Sequence, residues 1–101
     1  MYCEPWPSHI AVNQRAGTLE LTWNAQAAVL SGQRLREACR CSGCESARRH
    51  GTPPRAAPDL RLLRVELLGA GGLQCVFSDG HERGIYPWPY LHALAFTSAA
   101  N

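Results

Sequence analysis

The sequence predicts a small α+β fold: a single domain, residues 1–101, in which an antiparallel β-hairpin, a β-meander and two short helices are stapled by a metal site. Three observations predict it. Thr18-Leu19-Glu20-Leu21-Thr22-Trp23 alternates apolar and polar positions with period two, the signature of a half-buried strand. Leu60 to Tyr86 holds Leu- and Val-rich runs separated by glycine turns. Cys39-Arg40-Cys41-Ser42-Gly43-Cys44 crowds three thiols into six positions.

In chain order, His9-Ile10-Ala11-Val12 and Thr18 to Trp23 form the opening hairpin across Asn13 to Gly17. Ser31 to Ala38 changes to helix formers with Ser31 as cap, and this short helix delivers the chain to Cys39. Glu45 to Pro58 is polar, carries Gly51, Pro53, Pro54 and Pro58, and reads as a flexible loop. Leu60 to Leu68 and Leu73 to Phe77 pair around Gly69 to Gly72. Asp79-Gly80 supplies a two-residue turn, and His81 to Tyr86 pairs back to complete a three-stranded meander. Pro87 to Phe96 closes the chain as a helix, its prolines in the first turn and Leu91, Leu94 and Ala95 on one apolar stripe. Thr97 to Asn101 is expected to fray.

A chain of 101 residues buries roughly two-thirds of its unfolded surface, an adequate but not generous core. A bound structural zinc ion, which contributes about 10–16 kcal/mol in small zinc-finger peptides, would therefore matter to folding. Five cysteines, three of them clustered, are poor material for a secreted disulfide framework, so a cytoplasmic location is expected. Met1 to Ile10 has no apolar run of a signal peptide, and no stretch of about 18 apolar residues occurs, so a soluble chain without membrane contact is expected.

The three thiols cannot all pair with one another, whereas one ion satisfies them together. A tetrahedral zinc site needs one further donor, and a histidine suits it chemically. Two histidines compete. His50 follows Cys44 closely but sits in a Pro-Gly loop with nothing to hold it, and His81 lies just past the Asp79-Gly80 turn. Cys75, on a strand, is expected to be a buried thiol, and Trp6, Trp23, Trp88, Tyr86 and Tyr90 read as core and rim aromatics.

Leu35-Arg36 ahead of the C-x-C-x-x-C run, and Asp79-Gly80-His81, Gly84-Ile85-Tyr86 and Trp88-Pro89-Tyr90-Leu91 in fixed order after it, resemble the gamma-butyrobetaine hydroxylase N-terminal-like domain. That family includes the zinc-binding front end of the carnitine-pathway dioxygenases, a terminal domain of certain iron-sulfur carrier ATPases, and short stand-alone bacterial proteins. The resemblance runs from about Ile10 to Leu94 and implies Cys39, Cys41, Cys44 and His81 as the metal ligands. One departure is visible: family members usually carry Trp-x-Asp-Gly in the first hairpin, where this chain has Trp23-Asn24-Ala25-Gln26.

No His-x-Asp or His-x-Glu pair is present, and these 101 residues are too few for a double-stranded barrel, so oxygenase activity is not expected of them. A closed four-ligand zinc shell has no open position for a hydrolytic water. The expected function is a non-enzymatic zinc-binding module supporting protein–protein interaction, with a partner the sequence does not identify. The alternative is an accessory protein for iron-sulfur cluster assembly or carriage, because three thiolates and a histidine also hold iron. All ten basic residues are arginine, and Arg34, Arg36, Arg40, Arg48, Arg49 and Arg55 surround the knuckle. They offer an anionic partner a docking face or are simply a solvated surface. A net charge of only +2 ranks nucleic acid last.

Overall fold

A computed structural model describes residues 6–69 and 71–96; Cys3 and the tail expected at 97–101 lie outside the described residues. The elements are β1 (His9–Asn13), β2 (Thr18–Trp23), β3 (Gln26–Ser31), α1 (Gly32–Glu37), α2 (Ser42–Arg49), β4 (Leu62–Leu67), β5 (Gly72–Phe77), β6 (Gly84–Pro87) and α3 (Trp88–Phe96). The strands make two three-stranded antiparallel sheets, β1-β2-β3 and β4-β5-β6. The α+β class and both expected sheet regions are present, with one more strand and one more helix than the sequence pattern gives.

The extra strand is β3. Gln26-Ala27-Ala28-Val29-Leu30-Ser31 has no period-two contrast, since only Leu30 is buried in it. It pairs because Asn24 and Ala25 both hold positive φ, 47° and 66°, which makes the tight two-residue turn of a hairpin and sets Trp23 opposite Gln26.

The extra helix is α2, which corrects the expectation of an irregular segment from Glu45 onward. Glu45 to Arg49 carries no helix breaker, and the stop comes only at Gly51. That glycine, at φ 80°, ends the helix in a Schellman pattern: Gly51 N donates to the Arg48 carbonyl and Thr52 N to the Ala47 carbonyl.

Inside, Leu19, Leu21 and Trp23 of β2 meet Leu62, Leu73, Cys75, Phe77 and Tyr86 of the second sheet, with Leu35 of α1 and Trp88 and Leu91 of α3 in the same cluster. Burying a Leu- or Phe-sized side chain contributes about 1.5–3 kcal/mol, so this cluster dominates the stability of the fold. The sheets are joined where Leu62 N donates to the Gly17 carbonyl at 3.0 Å. Ser31 caps α1, its hydroxyl accepting from Arg34 N at 3.0 Å, as its sequence position predicts. Leu94 and Ala95 of α3 pack partly buried against the core, completing the expected stripe with Leu91. Cys75 is fully buried.

Candidate metal centre

Cys39 emerges from the end of α1, where the chain is held from the opposite side of the core. The Tyr86 hydroxyl donates to the Leu35 carbonyl and the Tyr90 hydroxyl to the Ala38 carbonyl. Two residues on, Cys41 is the N-cap of α2 in extended conformation, and Cys44 lies in that helix's first turn. Cys41 N donates to Cys39 Sγ at 3.5 Å, a backbone bond that shapes the knuckle around one sulfur. Arg48 then ties α2 back to α1 by donating to the Glu37 carbonyl at 2.6 Å, and pairs within α2 with Glu45 at 2.7 Å.

His81 arrives from β5. The turn is not the expected two-residue one: Gly80 N donates to the Phe77 carbonyl and Phe77 N to the His81 carbonyl, each at 3.0 Å, which encloses three residues, Ser78, Asp79 and Gly80. Gly80 sits at φ 89°, where a side chain would be strained. Regular pairing resumes only at Gly84 opposite Cys75, so His81 to Arg83 are not strand, in contrast to the expected span from His81. Released from the ladder, the His81 side chain turns toward the thiols.

The result is one constellation: the ligand atoms of Cys39, Cys41, Cys44 and His81 all lie within 4.8 Å of one another. His81 Nε2 is 3.2, 3.8 and 3.9 Å from the sulfurs of Cys39, Cys41 and Cys44. A tetrahedral zinc ion, with Zn–S about 2.3 Å and Zn–N about 2.0–2.1 Å, places such N and S donors about 3.6 Å apart. The donor set therefore fits a tetrahedral ion in both chemistry and spacing. Cys39 and Cys44 are buried, and Cys41 and His81 are partly exposed. His50 is elsewhere: it is the C-cap of α2, exposed, with Nδ1 2.8 Å from the Ser46 carbonyl oxygen.

Local fields sort the donors. Burial pushes the Cys39 thiol up to about 12. At Cys41 burial acts in the same direction, but the amides of Cys44 and Gly43 at the helix start, with the neighbouring thiols, outweigh it and hold that thiol below its usual value. Burial and the nearby Arg36 guanidinium hold His81 below the ordinary imidazole value, favouring the neutral ring that coordinates metals.

The surrounding polar residues were not legible as part of a site. Asp79 Oδ1 accepts from His81 N at 2.9 Å, and its Oδ2 accepts from Arg36 Nε at 3.0 Å. Arg36 Nη1 reaches Cys44 Sγ at 3.5 Å. Asp79 reads in the sequence as a turn residue and Arg36 as one of a surface group. No spacing rule links a helix position to a turn 43 residues away. Two more of these arginines contact the fold: Arg34 donates to the Leu94 carbonyl at 3.0 Å, and the guanidinium of the exposed Arg40 lies 4.8 Å from the Tyr90 ring centroid. Arg49 and Arg55 are exposed.

Two small antiparallel sheets, three helices and a Cys3His cluster define a compact class of candidate metal-binding domain. The chain belongs to the gamma-butyrobetaine hydroxylase-like, N-terminal family, whose sequence profile matches residues 10–92. A crystal structure of a protein of unknown function in the DUF971 family, from Acidithiobacillus ferrooxidans, is similar at 25% identity and a TM-score of 0.71, over 90% of this chain and 96% of that one. A protein solved by NMR is similar at 26% identity and the same TM-score, over 90% of this chain and 73% of its own. Among curated proteins, nothing matches. No helix among the described residues is long and apolar enough to cross a membrane.

Proposed function

We propose that the chain is a non-enzymatic zinc-binding module whose Cys39, Cys41, Cys44 and His81 form a structural site, and that the folded unit serves protein–protein interaction. The observation carrying this reading is the four-donor constellation itself, three sulfurs and one imidazole nitrogen within 4.8 Å. Sulfur-rich donors favour zinc over magnesium or calcium, and four protein ligands complete a tetrahedron. When bound, the ion supplies cross-linking: it joins the α1–α2 knuckle to the β5–β6 turn, two parts of the chain far apart in sequence. The protein's own residues do the rest. Cys39 and Cys44 present buried thiols, the backbone amides at the start of α2 help to lower the Cys41 thiol, and burial with the nearby Arg36 lowers His81. Asp79, in the same turn as His81, is occupied by Arg36 and the His81 amide, which leaves it poorly placed as a general base.

For a partner, Arg40, Arg49 and Arg55 are exposed, and guanidinium forks suit carboxylate-bearing protein surfaces. Metal analysis of protein purified anaerobically without added metal tests the module. A colourless protein with about one zinc per chain is expected. A brown protein with thiolate-to-iron absorption would replace this reading with cluster assembly or carriage. Cys41→Ser retaining full zinc and full stability would overturn the site.

A further inference from the structure

We propose that Arg36 is a positioning residue for the metal centre, acting with Asp79 as a bracket that holds two of its ligands in register; this rests on the zinc-module reading above. Its guanidinium bridges the two halves of the site. Nε is 3.0 Å from Asp79 Oδ2, and Nη1 is 3.5 Å from Cys44 Sγ. Asp79, through its other oxygen, accepts from His81 N at 2.9 Å. The chain of contacts runs from Cys44 through Arg36 and Asp79 to His81, so one planar group touches a ligand on α2 and orients the turn that carries another. The side chain of Arg36 is only 15% exposed and that of Asp79 37%, which places the bracket at the edge of the site and largely out of bulk water on the Arg36 side.

Charge gives a second reason. Three thiolates and a neutral imidazole around a divalent ion sum to one net negative charge, and the guanidinium lies against one of those sulfurs. An N–H donated to a metal-bound thiolate spreads its charge and fixes its direction, the role that outer partners of metal ligands commonly play. Arg36 stands at the second position of the Leu35-Arg36 pair and Asp79 at the first of Asp79-Gly80-His81, so both halves of the bracket lie within the two sequence segments that also supply the ligands. A lysine ammonium is a compact point charge without the planar fork that lets separate nitrogens, Nε and Nη1, face Asp79 and Cys44.

Zinc affinity measured by competition with a chromophoric chelator, the cobalt(II) spectrum and the melting of the metal-free protein test the bracket together. Arg36→Met keeps the aliphatic stem and removes the fork; Asp79→Asn keeps the acceptor for His81 N and removes the charge. Each is expected to weaken zinc by about 10- to 100-fold, to alter the thiolate-to-cobalt band, and to move metal-free melting by less than about 4 °C, because the ion pair is partly solvated. The double variant should lose little more than the larger single one, since the two residues act as one unit. Affinities within about threefold of wild type, or losses that multiply in the double variant, would overturn the bracket. A wild-type chain that binds neither zinc nor cobalt would overturn the module reading itself, an outcome visible before any variant is made.

Discussion

The Tyr86 hydroxyl donates to the Leu35 carbonyl across 51 residues of sequence, joining β6 to the last turn of α1 just before Cys39. Tyr86 is fully buried, and its ring stacks on Tyr90 at 6.0 Å between centroids. The two tyrosines hold the carbonyl end of α1 and thereby fix where the cysteine knuckle begins. Tyr86→Phe keeps the ring and removes this one bond. The Leu35 carbonyl still accepts from Ala38 N at 3.2 Å, so no acceptor is orphaned and the cost should be about 1 kcal/mol. That corresponds to a fall of about 4–8 °C in melting temperature for a domain of this size. Thermal denaturation followed by circular dichroism measures it, and a variant melting at or above wild type would remove this bond from the account.

Ala25 occupies the left-handed region at φ 66°, in the turn between β2 and β3. Left-handed backbone costs an alanine about 1–2 kcal/mol, and a glycine there costs about 0.5–1 kcal/mol in added unfolded-state entropy. The balance favours glycine. Ala25→Gly should therefore stabilise by about 0.5–1 kcal/mol, raising the melting point by several degrees without affecting metal content. Equal or lower stability would mean that the turn relaxes the alanine in solution.

Both β2 and the meander were legible because their apolar residues alternate or cluster against glycine turns. Leu19, Leu21 and Trp23 are buried as that pattern requires. β3 was not, since its pairing is imposed by a turn whose left-handed alanine breaks the usual Asn-Gly preference. α2 was hidden by neighbouring prolines and by its dependence on Cys41 as a cap that makes no side-chain hydrogen bond. At the site, the cysteine spacing picked out three candidate donors, and the choice of His81 over His50 rested on the Asp79-Gly80 turn together with the family resemblance. Geometry supplies the physical reason. His50 is held at the far end of α2 by the Ser46 carbonyl, whereas a left-handed Gly80 swings His81 toward the sulfurs.

Metal removal should separate those two histidines. Chelation of the wild-type protein under reducing conditions is expected to lower its melting temperature by more than about 10 °C, since ligand binding to the native state alone adds stability in proportion to RT ln(1 + [L]/Kd). His81→Ala should reproduce most of that loss and bind zinc at least tenfold more weakly. His50→Ala should retain both zinc and melting temperature within about 2 °C, because exposed substitutions away from a site change little. If His50→Ala is the one that loses metal, the assignment of the fourth ligand is wrong.

The metal-free protein should be most stable between mildly acid and mildly alkaline pH, with different residues setting each limb. His81 is depressed in the folded state, by burial and by Arg36, below its ordinary 6.5. Its contribution is present above that value and is lost as pH falls through the folded value, because the unfolded chain takes up the proton first. Asp79 acts lower still: burial opposes its ionisation, but the His81 amide and Arg36 outweigh this and hold the carboxyl below 3.8. On the alkaline side, burial pushes the Cys75 thiol from 9.0 to about 12. The unfolded chain releases that proton from about pH 9 upward while the folded chain retains it, so stability falls between pH 9 and 12. Melting temperatures of chelated, reduced protein across pH 5 to about 10.5 would reveal both limbs. Cys75→Ala should make the alkaline limb shallower without abolishing it, because burial also raises the Cys39 thiol to about 12 and the Tyr86 hydroxyl above 10.0. It should leave the acid limb in place, whereas His81→Ala should flatten the acid limb and leave the alkaline one. An alkaline limb unchanged in Cys75→Ala would show that the buried Cys75 thiol does not set it.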